Sequence, residues 1–133
     1  MRLIAATLIT LAALPVLAAG PATETLPSGV TIEWSRDGSG TSPGPTDKVR
    51  VHYKGTLADG KEFDSSYNRG TPTEFPLNRV IPCWTEALQH MKPGSAARIT
   101  CPAQTAYGDR GIPGVIPPNS TLTFAVELLE VKR

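Results

Sequence analysis

Few side chains in this 133-residue sequence can do covalent chemistry, and their spacing argues against most catalytic classes. There are only two histidines and two cysteines. His52 falls on the polar side of an alternating stretch and His90 lies near the end of a helical one. Neither has the spaced companions of a metal site, so both are expected as solvated histidines with no metal bound. A nucleophilic Cys83/His90 pair fails on geometry, because seven helical positions separate the two by about 10 Å along the axis. No glycine-rich phosphate loop and no G-x-S-x-G elbow occurs. What remains is mostly aromatic. Tyr53, Phe63, Phe75, Trp84, Tyr107 and Phe124, drawn from three Tyr, three Phe and two Trp, each sit inside or beside a distinctive string: VHYKG, FDSS, EFPLNRVIPCW, AYG and TLTFAVELL.

The elements that must position these residues follow from periodicity. Val30, Ile32 and Trp34 alternate with Thr31, Glu33 and Ser35, the period of two of a strand with one buried face. Val49, Val51 and Tyr53 alternate with Lys48, Arg50, His52 and Lys54 in a clearer strand, which Ala58-Asp59-Gly60 turns back through Lys61 to Ser65. Trp84, Ala87, Leu88 and Met91 recur at i, i+3, i+4 and i+7 behind Pro82, which predicts a helix of about nine residues with proline in its first turn. Ala97, Ile99 and Cys101, then Leu122, Phe124, Val126 and Leu128, mark two more strands. The expected fold is α+β, an antiparallel sheet of about five strands wrapped around one short helix.

Length and composition bound the rest. The chain suffices for one compact domain and is too short for two of ordinary size. Met1-Arg2, the uncharged apolar run Leu3 to Leu14 and Val16-Leu17-Ala18 read as a signal peptide over residues 1–18. That run is shorter than the ~20 residues a membrane span needs, so cleavage and export are expected, and no membrane association afterwards. Residues 19–29, rich in Pro, Thr and small side chains, are expected as a linker or irregular arm, and residues 30–133 as the domain. Loss of Arg2 leaves 12 of the 13 basic residues against 12 acidic ones, a net charge of zero that offers nothing to nucleic acid. Cys83 and Cys101 form a candidate disulfide, since an oxidising exterior permits pairing. With no added arm for dimerisation, a monomer is expected.

The strings VHYKGTLADGKEFDSS (51–66), EFPLNRVIPCW (74–84) and AYGDRGIPGVIPPNSTLTFAVELL (106–129) resemble, in order and spacing, the signatures of the FKBP-type peptidyl-prolyl cis/trans isomerases. The resemblance runs from about Thr25 to Lys132. It implies an exported isomerase, without cofactor, that rotates X-Pro bonds in proline-containing polypeptides of the periplasm or exterior. It implies that Tyr53, Asp64, Ile81 and Tyr107 serve the reaction, with the Tyr107 hydroxyl and the Ile81 backbone N–H as donors to substrate carbonyls. It assigns Phe63, Val80, Trp84 and Phe124 to the cleft wall, Trp84 as its floor, and Val115 and Ile116 to an apolar loop beside them. Macrolide inhibitors are the small-molecule partners such a family suggests. Three positions depart from the pattern: Thr73 replaces an apolar or aromatic wall, Ile112 stands where some relatives carry His, and Cys83 where Gly is common.

Two other readings stay open on the sequence. The same cleft serves equally in a proline-peptide binding module or chaperone with little turnover, and a structural export factor is a third class. Trp84 and Phe124 also suit a plain core. Asp64 before Ser65-Ser66 also suits an Asx turn.

Overall fold

The computed structural model describes residues 22–133, so the expected signal peptide lies outside the described residues. Seven strands form one antiparallel sheet in the order β1-β2-β6-β7-β3-β4, with β5 also on β3. They are β1 (Thr23–Thr25), β2 (Thr31–Arg36), β3 (Lys48–Thr56), β4 (Glu62–Ser65), β5 (Thr73–Pro76), β6 (Ala96–Cys101) and β7 (Leu122–Lys132). The fold class is the expected one. The additional strands are β1 and β5, short pieces whose backbone groups are satisfied by longer neighbours. Strand β1 corrects the irregular arm read over 19–29: Thr23 to Thr25 pair in register with Glu33 to Thr31, so the folded domain begins before Val30.

The two clearest periodicities dictate the centre of the sheet. Val49, Val51 and Tyr53 on β3 and Leu122, Phe124, Val126 and Leu128 on β7 are all buried, and the two strands pair along the whole of β3. Alternate residues point to opposite faces, so one register places both apolar rows on the same side. Ile32 on β2 and Ala97, Ile99 and Cys101 on β6 extend that buried face. Trp34 is only half-buried, and beyond it a bulge between Trp34 and Arg36 shifts the pairing of β2 with β6.

Against this face lies α2 (Pro82–Leu88), preceded by the four-residue α1 (Ser66–Arg69) and a 3-10 turn (Leu77–Arg79). Pro82 opens α2 where its missing N–H costs nothing. Cys83, Trp84, Ala87 and Leu88 are buried, as is Met91 just beyond the last turn. Cys83 bonds Cys101, tying the start of α2 to the end of β6, with Cα atoms 5.7 Å apart. The short α1 escaped the periodicity reading because four residues carry no stripe. It forms because Ser65 caps it, the Ser65 Oγ accepting from the Asn68 amide at 3.2 Å, and because Gly70 ends it in the left-handed region.

Candidate active site

Trp84 is the centre of an aromatic cluster. Its ring meets Tyr53 at 5.2 Å, Phe75 at 5.4 Å and Phe124 at 5.3 Å between centroids, each near-perpendicular, and Phe63 stands on Phe124 at 5.6 Å. Edge-to-face contact is the favoured arrangement for such rings and fixes their orientation. They line a cleft of about 400 Å³ whose other walls are Asp64, Arg79, Val80, Ile81 and Tyr107. The cleft thus draws on β3, β4, β5, the 3-10 turn, α2, the β6–β7 connection and β7. The fold permits this at Gly55, where a Cβ atom would stand 2.6 Å from Phe63 Cζ and 2.9 Å from Phe124 Cε1.

One polar network closes the β3–β4 side. The Tyr53 hydroxyl donates to Asp64 Oδ2 at 2.5 Å, Arg69 Nη1 donates to Asp64 Oδ1 at 2.6 Å, and the Ser65 amide donates to the same oxygen at 2.9 Å. Arg69 Nη2 also donates to the Tyr53 hydroxyl at 3.0 Å and to Thr73 Oγ1 at 3.1 Å. Burial works against ionisation of Asp64, but the hydrogen bonds from Tyr53 and Arg69 outweigh it and hold its pKa below the ordinary carboxylate value. Burial, reinforced by the adjacent carboxylate, raises the Tyr53 phenol. The Tyr107 phenol is raised by burial and then by the charge of Asp64.

Two donors at the cleft are unspent. Among the described residues neither the Ile81 backbone N–H nor the Tyr107 hydroxyl has a hydrogen-bond partner, although Ile81 O accepts from Trp84 and Thr85. The indole N–H of Trp84, buried at the floor, is also without a partner there.

The sequence-assigned residues are not all brought together. Tyr53, Phe63, Asp64, Val80, Ile81, Trp84, Tyr107 and Phe124 converge on the cleft, whereas Val115 and Ile116 do not line it. Ile116 is buried in the core and Val115 stands exposed at the tip of a small hairpin, in which the amides of Ile112 and Ile116 each donate to the other's carbonyl at 2.8 Å. Gly111 sets that hairpin: its φ is +60°, and a Cβ there would lie 2.2 Å from Ile116 O. Phe75 and Arg79 line the cleft without having been assigned to it. The EFPLNRV string holds both, Phe75 on the four-residue β5 and Arg79 at the end of the 3-10 turn, elements too short to show a period. Of the departures, Thr73 is drawn into the Arg69 network and Ile112 is half-buried. Of the two histidines expected to be solvated, His90 is exposed, with Nδ1 3.2 Å from Glu24 Oε2, whereas His52 is half-buried, stacked on Tyr67 at 4.6 Å with Nδ1 2.8 Å from Ser66 Oγ. No group of three metal-ligating side chains assembles among the described residues.

Comparison with known proteins bears on this cleft directly. The family described as FKBP-type peptidyl-prolyl cis-trans isomerase matches residues 39–129. The chain belongs to the FKBP family. It is 51% identical over 109 residues to the Escherichia coli FKBP-type peptidyl-prolyl cis-trans isomerase FkpA, an alignment covering 82% of this chain and 40% of FkpA. It is 49% identical over 113 residues to the Coxiella burnetii peptidyl-prolyl cis-trans isomerase Mip, covering 85% of this chain and 49% of Mip. The chain therefore spans half or less of the length of these FKBP relatives. Among solved structures, a Pseudomonas syringae peptidyl-prolyl cis-trans isomerase superposes with a TM-score of 0.80 at 37% identity, covering 86% of this chain and 84% of that one. All of the residues lining this cleft, Phe75 and Arg79 among them, lie inside the matched segment.

Proposed function

We propose that the chain is a peptidyl-prolyl cis/trans isomerase acting on X-Pro bonds of exported proteins. The observation that carries the reading is the Trp84-floored cleft, aromatic at its base and edged by the two unspent donors at Ile81 and Tyr107. Rotation about an amide faces a barrier of about 18–20 kcal/mol, and X-Pro bonds isomerise in tens to hundreds of seconds. No bond forms or breaks. In the twisted transition state carbonyl–nitrogen resonance is lost, so the amide is less dipolar than when planar and gains relative to it in an apolar cleft. Each tenfold acceleration requires about 1.4 kcal/mol of that preference.

In this mechanism Phe63, Phe124 and Tyr53 hold the proline ring over Trp84. The Ile81 N–H and the Tyr107 hydroxyl donate to carbonyls of the substrate and fix the chain on either side of the rotating bond. Asp64 is a positioning residue. Both its oxygens are engaged by Tyr53, Arg69 and Ser65, an arrangement that favours holding the Tyr53 ring over direct contact with the rotating carbonyl.

Export is supported by the Cys83–Cys101 bond, which suits an oxidising compartment, and by the apolar run before residue 18. No helix among the described residues is long and apolar enough to cross a membrane. We read the chain as a monomer, and the cleft as large enough for the apolar core of a macrolide inhibitor, with Thr73 in place of an aromatic wall setting a weaker fit. The test is a protease-coupled or NMR exchange assay on an X-Pro peptide. Acceleration by the wild type, lowered in Asp64→Ala and in Tyr107→Phe with the fold intact, is the expected result. Peptide binding without acceleration would leave a binding module instead, and unchanged rates in both variants would remove the two assigned roles.

A further inference from the structure

The cleft does not end at Arg79. This residue also lines a second depression of about 530 Å³, bounded by Thr46, Lys48, Glu74, Pro76 and Asn78, so the two concavities share Arg79 as a common wall. Arg79 closes the 3-10 turn, and that turn is firmly held. Leu77 is fully buried, its amide donates to Asp47 O at 2.9 Å, and its carbonyl accepts from Thr85 Oγ1 at 2.6 Å. The backbone that carries Arg79 is therefore fixed.

The charges along this path are unevenly spent. At the proline cleft, Asp64 is paired with Arg69. In the second groove, Glu74 is paired with Lys132 at 2.5 Å, and its carboxyl is lowered chiefly by that hydrogen bond, with Lys48 and Arg50 adding to the effect. Arg79 and Lys48, by contrast, have no carboxylate within ion-pair distance among the described residues. Both carboxylates along the path are thus neutralised while two cations remain, which leaves a positive track leading out of an apolar pocket.

We propose that the groove beyond Arg79 is an extended subsite for the substrate chain, and that it selects polypeptides carrying acidic side chains close to the proline. The inference rests on the isomerase reading for its substrate, but the groove's charge stands apart from turnover. Arg79 contacts the chain flanking the proline and not the rotating bond, so its contribution is the same in ground and transition states. It lowers KM and leaves kcat unchanged. An exposed ion pair of this kind shifts kcat/KM by about two- to fivefold and is screened at about 1 M salt, where the Debye length is about 3 Å.

The experiment uses blocked peptides of one sequence around Leu-Pro, with a pair of Gln residues or a pair of Glu residues placed either before or after the proline. NMR exchange gives the isomerisation rate and a chemical-shift titration gives the affinity. With wild-type protein, the Glu peptide of one arrangement is expected to exceed its Gln counterpart about two- to fivefold in kcat/KM, through KM and only at low salt. Arg79→Gln is expected to erase that ratio, Lys48→Gln to reduce it, and Arg79→Glu to invert it, each Glu-to-Gln ratio being read within one variant so that any change in basal turnover cancels. Equal ratios in both arrangements, or a Glu preference that survives Arg79→Gln, would overturn the subsite while leaving the isomerase standing. If no peptide is accelerated but the Glu peptide binds more tightly and Arg79→Gln abolishes the difference, the isomerase reading fails and the subsite stands.

Discussion

Breaking the Cys83–Cys101 bond is expected to cost the domain a large share of its stability while sparing the cleft. The bond closes a loop of sequence separation 18. Chain-entropy loss from closing such a loop in the unfolded state contributes about 3 kcal/mol. Small domains hold only about 5–15 kcal/mol in total, so the loss is substantial. With about 110 folded residues at about 2.1 cal/mol/K each, 3 kcal/mol corresponds to a fall in Tm of about 13 °C. The native cleft has other support: Trp84, Ala87, Leu88 and Met91 are buried against the sheet, and Trp84 touches three aromatic rings. Urea unfolding of oxidised protein beside a Cys83→Ala/Cys101→Ala double variant should show the lower midpoint, with a steeper slope as the released unfolded chain exposes more surface. At 15 °C, well below either transition, the turnover of the two proteins should agree. A stability difference under about 1 kcal/mol would refute the loop-closure account. Loss of turnover in a folded double variant would refute the claim that packing alone holds the floor.

Gly55→Ala should destabilise by about 1–3 kcal/mol, because the new methyl overlaps the Phe63 and Phe124 rings, and should lower turnover with it; a neutral outcome in thermal melts would mean that the rings give way freely. The Asp64 pKa is depressed in the folded state, so its contribution is present above the ordinary carboxylate range and is lost as pH falls through the depressed value. Asp64→Asn should therefore flatten the acid limb of the stability profile, and an unchanged limb would remove the network from that role. Burial, then the hydrogen bond to Glu127, pushes the Tyr67 phenol up to about 12. The raised value stabilises the fold below the free tyrosine pKa and the contribution is lost as pH rises through it, so absorbance at the tyrosinate band should show a late step that Tyr67→Phe removes.

The parts of this fold legible in the sequence were those where one long element buries one face. The alternation in β3 and β7 and the stripe of α2 repeat often enough to reveal their period, and their buried rows are those the spacing picked out. Strands β1 and β5 and helix α1 repeat too few times to show a period: pairing with other strands decides the first two, Thr23 with Glu33 and Phe75 with Val49, and a local cap, Ser65 with Asn68, decides the third. The loop residues Val115 and Ile116 show the converse. Two adjacent apolar side chains looked alike, yet the Ile112–Ile116 hairpin buries one and exposes the other.

By itself the sequence determined the chemical type of the site. Its aromatic strings, its lack of a metal or nucleophile constellation and its FKBP-like motifs all read as a noncovalent, apolar cleft. Only the tertiary structure decided how that cleft is completed. Tyr53 and Phe124 come from strands far apart in the chain that pair in register, and the Arg69–Asp64–Tyr53 network joins three elements. Phe75 reaches the wall from β5, paired with Val49 of β3, and Arg79 from the turn fixed by Leu77. Periodicity reports which side of an element is dry. Which dry sides meet, and which charges are left without partners at their edge, depends on contacts between residues that are distant along the chain.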